Sequence, residues 1–370
     1  MKDTDEVDFG FAKVWNFDKK KDEYIPDAKM KAKIEGLLAV YTSEYKRPVT
    51  DIGIISIGVV NFEPFTEKDN ELLRLIRLIL FICFISQNNT VSQNPNSGHQ
   101  MATSENFDII LQNFVLDSDF LSERGGEVVG FLKGGFKASE MNFQTPTYVP
   151  SSYKFILDGE LFSLLLKIKK EKPLVFKKII NAVGIFLESY FNTHQVSKNA
   201  RILLQMSAFE ILLDLPEKRQ REVFKNTIEK YTILPEDTKK YETYWSKKER
   251  DSNNHKQVQE FLSIKGIWAE SFYLLRNSII HGNTPPLKDF AFKNGQPHIH
   301  IATIFFVKCI KEQIQKSIKS YKCEYERKWK TWTDDISRAK PFKRTEFVYE
   351  KSFRYLWDKM AKKLSGKNKV

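Results

Sequence analysis

Arg276 and His281 stand at the end of a helical pattern, in the string Arg276-Asn277-Ser278-Ile279-Ile280-His281-Gly282-Asn283. A guanidinium grips a phosphate through paired N–H groups, and an imidazole moves protons at neutral pH. Together they are a minimal set for cutting RNA without a metal, one group holding the phosphate and the other moving protons around it. The spacing alone is weak evidence. Arg250 and His255 repeat it in the polar run Arg250-Asp251-Ser252-Asn253-Asn254-His255, where no apolar stripe holds either side chain, so that pair reads as a coincidence.

The elements that must position Arg276 and His281 are more telling. Trp268, Phe272, Leu275 and Ile279 fall four, three and four residues apart, which makes one apolar stripe of a helix facing a core. Gly282, Asn283, Thr284, Pro285 and Pro286 then stop that helix. His281 is thereby placed in the last turn, among carbonyls without intrahelical partners, where the helix dipole favours a protonated imidazole. On an ideal helix Arg276 and His281 are about 140° apart around the axis and about 7.5 Å apart along it, whereas Asn277 shares the face of His281. One straight helix therefore does not aim both groups at one atom. Either the last turn unwinds before the glycine, or two copies of the chain bring their motifs together across a symmetric interface.

The chain around this string is long enough, at 370 residues and 41% hydrophobic content, for two cores. Residues 1–160 carry the texture of an α+β domain. The run from Ile52 to Phe62 is β-branched and broken by glycines, as a buried strand would be, and a buried helix is expected from about Lys68 through the apolar stretch Leu72 to Ile85. A polar run from Gln87 to Asn106 reads as a loop, and Phe107 to Leu116 and Glu127 to Lys133 read as further strands. From 161 to 322 the pattern becomes an all-α antiparallel helical bundle. Helices are expected over 158–171, 173–193, 197–213, 216–231, 257–280 and 300–322, with Pro173 and Pro216 in first turns, Ser197 as an N-cap, and a long exposed loop over 232–256.

Net charge is +12, and from Lys308 to Val370 there are 19 Lys or Arg against 8 Asp or Glu, which leaves +1 for the first 307 residues. Residues 323–370 are expected to form a basic helical extension, interleaved with aromatics such as Trp329, Trp332, Phe342 and Tyr355. Its Lys328, Lys330, Lys343 and Arg344 are candidate RNA contacts, although its aromatics could equally form a small core. The acidic start Met1-Lys2-Asp3-Thr4-Asp5-Glu6 has no apolar signal region, and no run is long enough to span a bilayer, so a cytoplasmic protein without a membrane partner is expected. Cys83, Cys309 and Cys323 form no Cys-x-x-Cys pair, and His298 and His300, at strand-like spacing, have no accompanying acidic or Cys cluster. No metal or cofactor is expected.

The segment Phe272-Tyr273-Leu274-Leu275-Arg276-Asn277-Ser278-Ile279-Ile280-His281-Gly282 resembles the signature of HEPN domains, in particular the ApeA-like group, and Ser207-Ala208-Phe209-Glu210-Ile211-Leu212-Leu213 resembles the acidic helix of that family. The resemblance covers roughly 170–322 and leaves the N-terminal part untouched. It implies a bundle that dimerises with the two motifs adjoining and, in active members, metal-independent cleavage of tRNA or mRNA to 2′,3′-cyclic phosphate ends. His281 would then be general acid or base and Arg276 the phosphate stabiliser. Asn277 would orient the phosphate or His281, and Glu210 would hold Arg276. Such proteins act as toxins or antiviral (abortive infection) effectors released by a trigger, here phage-derived or a nucleotide. The residues alone leave two alternatives open: a helix end decorated with basic side chains, which needs no function, and a non-catalytic module that holds RNA or a nucleotide without cutting it.

Overall fold

The computed structural model describes residues 6–38, 41–42, 53–57, 66–88, 110–114, 120–124, 127–132, 141–142, 157–190, 196–230, 240–248, 255–292 and 297–318. These fall into two compact units, one formed by the described residues up to Leu166 together with Tyr190, the other by those of 167–189 and from 196 onward. A small antiparallel sheet at the N-terminus is followed by a mostly helical body. The candidate RNA contacts Lys328, Lys330, Lys343 and Arg344 lie outside the described residues.

In the first unit, strands β1 (Glu6–Asp8), β2 (Ala12–Asn16) and, after the short β3 (Tyr41–Thr42), β4 (Gly53–Ile57) form an antiparallel sheet in the order β1-β2-β4. Asn16 ends β2 and caps helix α1 (Phe17–Tyr24), its side-chain oxygen accepting from the Lys19 N–H at 3.2 Å. Trp15, Phe17, Ile25 and Ile34, the last from α2 (Ala28–Leu38), form the core on this sheet. Helix α3 (Glu67–Asn88) begins at Thr66, whose hydroxyl accepts from the Asp69 N–H while the Asp69 carboxylate accepts from the Thr66 N–H, a reciprocal cap. One face of the run 72–85 is buried, with Ile76, Ile79, Phe81 and Ile82 fully enclosed, while Arg74 is exposed. Strands β5 (Ile110–Phe114), β6 (Phe120–Arg124) and β7 (Glu127–Leu132) make an antiparallel meander, and β8 (Met141–Asn142) pairs in parallel with β3. Asp158 caps α4 (Gly159–Glu171), accepting from the Leu161 N–H at 2.9 Å, and its other carboxylate oxygen accepts from the Ser86 hydroxyl of α3 at 2.5 Å.

The second unit is built from α5 (Pro173–Glu188), α6 (Lys198–Leu213), α7 (Gln220–Lys230), a β-hairpin, α8 (Ile264–Ile280), a short 3-10 turn over Leu287–Phe290, and α9 (His298–Ser317). Pro173 opens α5, where a missing N–H costs nothing, and Ser197 caps α6 through the Ala200 N–H at 3.2 Å. The helices meet in an aromatic core. Phe186 stacks on Phe306 with centroids 4.0 Å apart, Trp268 lies between Phe272 at 5.2 Å and Phe305 at 4.6 Å, and Phe209 meets Phe224, Phe272 and Phe306 edge-on. Each of these side chains is fully buried, and each contributes about 1.5–3 kcal/mol through burial, with about 0.5–1.5 kcal/mol more per well-oriented ring pair.

Two sequence expectations are overturned here. The loop expected over 232–256 and the helix start expected at 257 give way to strands β9 (Tyr241–Lys248) and β10 (His255–Leu262), paired antiparallel from Tyr241 opposite Leu262 to Lys248 opposite His255. The β-formers Tyr241, Thr243, Tyr244 and Trp245 outweigh the charges interspersed among them, and Ser263 restarts the helix as an N-cap. Pro216 lies outside α7, which begins at Gln220, because the connection from α6 stays irregular through residue 219. The helix expected from residue 300 starts two residues earlier, so His298 and His300 both lie in the first turn of α9, with Pro297 setting the entry to the helix.

His298 is 1% exposed, packed between Phe272 and Phe292, and its Nδ1 finds no hydrogen-bond partner among the described residues. Burial pushes its pKa down to about 4. An unfolded histidine takes its proton near pH 6.5, so the unfolded chain binds more protons between those values. Stability is therefore complete above about pH 6.5 and falls as pH drops toward 4, by up to about 3 kcal/mol. Urea midpoints measured at pH 4.5 and pH 7 should differ less in His298→Leu than in the wild type. An equal difference in both would contradict the assignment.

Candidate functional site

Two helix ends make the site. At its start α8 is fixed by Ser263, whose hydroxyl accepts from the Gly266 N–H at 3.4 Å while its own N–H and O–H donate to the Glu229 carboxylate of α7 at 3.1 and 2.7 Å. A Cβ on Gly266 would meet the Glu229 carboxylate, which would have to swing away from Ser263 to make room for it. Fully buried Trp268 and Phe272 then lock the rotation of α8. Arg276 follows Phe272 by one turn.

At its other end α8 stays regular to Ile280. Gly282, with φ +77°, closes it, its N–H bonding to the Ile279 carbonyl at 3.0 Å and the Asn283 N–H bonding to the Ser278 carbonyl at 3.0 Å. This is a Schellman stop. His281 is the C-cap, its N–H donating to the Asn277 carbonyl at 3.0 Å. Two parts of the sequence reading change as a result. The carbonyls of Asn277, Ser278 and Ile279 are occupied, because the glycine turn folds the following N–H groups back onto them. The last turn also does not unwind before the glycine, so the wide angle between Arg276 and His281 persists. His281 is exposed to solvent.

Helix α6 ends in the same manner. Asp214 takes the left-handed conformation at φ 50°, and the Leu215 N–H returns to the Glu210 carbonyl at 3.1 Å. Phe209 is buried in the aromatic core, which leaves the next residue, Glu210, half-buried and turned toward α8. The Arg276 Nη2 donates to Glu210 Oε1 at 2.8 Å, with the side chains 20% and 22% exposed respectively. At that degree of burial a charge-assisted bond is worth more than a surface pair.

The rest of the guanidinium is also held. Its Nη1 donates to Asn277 Oδ1 at 3.0 Å, and its Cζ lies 5.6 Å from the centre of the Tyr273 ring, within cation–π range. The Tyr273 hydroxyl donates to Gln220 Oε1 at 3.1 Å, which ties the first residue of α7 to the same group. Arg221 and Glu270, 2.7 Å apart, clamp α7 to α8 one residue further on. The structure therefore brings Arg276, Asn277 and Glu210 into one cluster. His281 stands outside it, and no hydrogen bond joins its imidazole to the Asn277 amide, whose oxygen is taken by Arg276. Asp214, at the left-handed stop of α6, is exposed and pairs with Lys178 of α5 at 2.5 Å.

Sequence reasoning missed Tyr273 and Gln220. The signal for Tyr273 was present, since an aromatic three residues before an Arg lies beside it on a helix. Gln220 sits in a different helix and had no local signal. His255, dismissed with Arg250 as part of a loop, is the first residue of β10, and Arg250 is outside the described residues. Among the described residues no group of three or more His, Cys, Asp or Glu is placed to hold a metal ion, and no helix is long and apolar enough to cross a membrane. Searches of family models, curated proteins and solved structures found nothing that matches the chain.

Proposed function

We propose that the chain is a metal-independent endoribonuclease that cleaves RNA to 2′,3′-cyclic phosphate ends, with the helical body acting as a HEPN-like homodimer. The observation that carries this reading is the Arg276 guanidinium, held at once by Glu210, Asn277 and the Tyr273 ring and one-fifth exposed. A cation fixed in this way is arranged to meet a phosphate without first reorganising. His281 supplies the proton transfers. A base removes the 2′-hydroxyl proton as the 2′-oxygen attacks phosphorus, and an acid delivers a proton to the departing 5′-oxygen, so the P–O5′ bond breaks as the P–O2′ bond forms.

Because α8 is regular through Ile280, Arg276 and His281 of one copy point different ways, and a second copy would bring a His281 to an Arg276. The RNA substrate class, tRNA or mRNA, and a role as a toxin or antiviral effector released by a phage-derived or nucleotide trigger belong to the HEPN resemblance. The cytoplasmic setting and the RNA contacts of Lys328, Lys330, Lys343 and Arg344 are proposed on the sequence itself, the contacts on the excess of Lys and Arg from residue 308 onward. The competing reading is a module that binds RNA or a nucleotide without cutting it. Incubating the protein with total tRNA and with mRNA in EDTA, beside Arg276→Ala and His281→Ala, separates the two. Cleavage by the wild type and by neither variant is expected. Binding without cleavage under any condition would favour the module.

A further inference from the structure

We propose that Lys218 and Arg219, in the connection between α6 and α7, form a phosphate-binding site that seats the RNA strand beside Arg276. This rests on the nuclease reading and adds a binding site to it. The connection runs from Asp214 to Arg219, and these two are the non-glycine residues with positive φ among the described residues, at 50° and 62°. It is pinned at both ends, by Lys178 on Asp214 at one and by Gln220 on Tyr273 and Arg221 on Glu270 at the other. A connection held so firmly presents its side chains in a fixed place.

What it presents is charge. Lys218 and Arg219 are both exposed, and neither forms an ion pair or hydrogen bond with its side chain among the described residues. Two exposed acids share the connection: Asp214 is matched by Lys178 at 2.5 Å, and Glu217 against Lys218 and Arg219 leaves a balance of one positive charge. Elsewhere in the unit cations near the site are engaged: Lys178 with Asp214, Arg221 with Glu270, Arg276 with Glu210. Arg219 is also the residue that the backbone least favours. Its carbonyl accepts from the Val223 N–H at 3.0 Å, so it starts α7 from the left-handed region, where glycine would sit without strain. A charged side chain kept at a position suited to glycine is an expense in folding that a ligand contact explains.

The path to Arg276 is short. The residue after Arg219 accepts from the Tyr273 hydroxyl, and the ring of that tyrosine lies against the Arg276 guanidinium. A strand whose scissile phosphate meets Arg276 thus has a neighbouring phosphate within reach of the turn. The ligand class is a phosphodiester backbone, bound without regard to base.

The test uses the full chain carrying His281→Ala, so that bound RNA is not cut, and a labelled single-stranded RNA titrated at several salt concentrations. Adding Lys218→Ala and Arg219→Gly together is expected to weaken binding roughly tenfold at low salt and to reduce the salt slope by about one to two. Arg219→Gly alone should keep or raise the melting temperature while losing affinity, and Arg219→Lys should retain most of the affinity. If Arg219→Gly lowers the melting temperature, Arg219→Gln replaces it in the double variant, keeping a side chain while removing the charge. RNA binding with unchanged affinity and slope in the double variants would overturn the site and leave the nuclease reading standing. No RNA binding by the His281→Ala chain at any salt would overturn both.

Discussion

Glu210→Ala is expected to lower RNA cleavage about a hundredfold while leaving the helical body folded. The carboxylate is the strongest of the three contacts on Arg276, and its removal leaves a half-buried guanidinium with one amide oxygen and one ring face. Losing a charge-assisted hydrogen bond of this kind costs about 1.5–3 kcal/mol, well within the stability of a unit with so many buried aromatic rings. The larger effect is positional, because a displacement of roughly 1 Å in a charge-stabilising group costs on the order of 100-fold in rate. Steady-state kinetics and a thermal melt on the same preparation check this. Glu210→Asp keeps the charge but is shorter by one methylene, and it should fall between alanine and wild type. Unchanged cleavage by Glu210→Ala would mean that the ion pair only ties α6 to α8.

Mixing Arg276→Ala protein with His281→Ala protein is expected to restore activity that neither shows alone. If each site takes Arg276 from one copy and His281 from the other, a mixed dimer contains one site with both residues intact. Equal amounts at full exchange make half the dimers mixed, each with one of its two sites alive, so roughly a quarter of wild-type activity should return. If both residues act within one copy, every subunit in the mixture lacks one of them and nothing returns. The regular helical hydrogen bonding of α8 through Ile280 favours the first outcome. Subunit exchange followed with two fluorophores fixes the mixed fraction that the recovered rate is measured against.

The helices of the second unit were legible because their punctuation is local. Pro173 and Ser197 mark the starts of α5 and α6, and Gly282 with the two prolines beyond marks the end of α8. The apolar stripe from Trp268 to Leu275 named the buried face of α8, and the same residues form its core contacts. The hairpin was not legible, since Tyr241, Thr243, Tyr244 and Trp245 are interrupted by Glu242 and followed by Lys247 and Lys248, which breaks the period of two. A better reading was available in the turn-forming cluster Asp251-Ser252-Asn253-Asn254, which separates two runs of β-formers. The left-handed stop at Asp214 was hidden for another reason. Glycine advertises a positive φ, as at Gly282, whereas Asp214 and Arg219 adopt it only because the packed helices on either side hold them there.

The partnership of Glu210 and Arg276 spans 66 residues, and no periodicity connects positions so far apart. What joins them is the sequence neighbourhood of each. Glu210 follows the buried Phe209, Arg276 comes one turn after the buried Phe272, and those two rings meet in the core with centroids 6.4 Å apart. The aromatic contact therefore sets the distance at which the ion pair forms. Tyr273, adjoining the same core, places its ring under the guanidinium and its hydroxyl on Gln220.

The chemistry of the RNA ends made in EDTA tests the central claim most directly. Transfer to the 2′-oxygen, with Arg276 on the phosphate and His281 moving the protons, leaves a 2′,3′-cyclic phosphate on one fragment and a 5′-hydroxyl on the other. Those ends, formed without a divalent cation and lost in His281→Ala, are the expected result. A 5′-phosphate with a 3′-hydroxyl, or cleavage that appears only when magnesium is added, would contradict it.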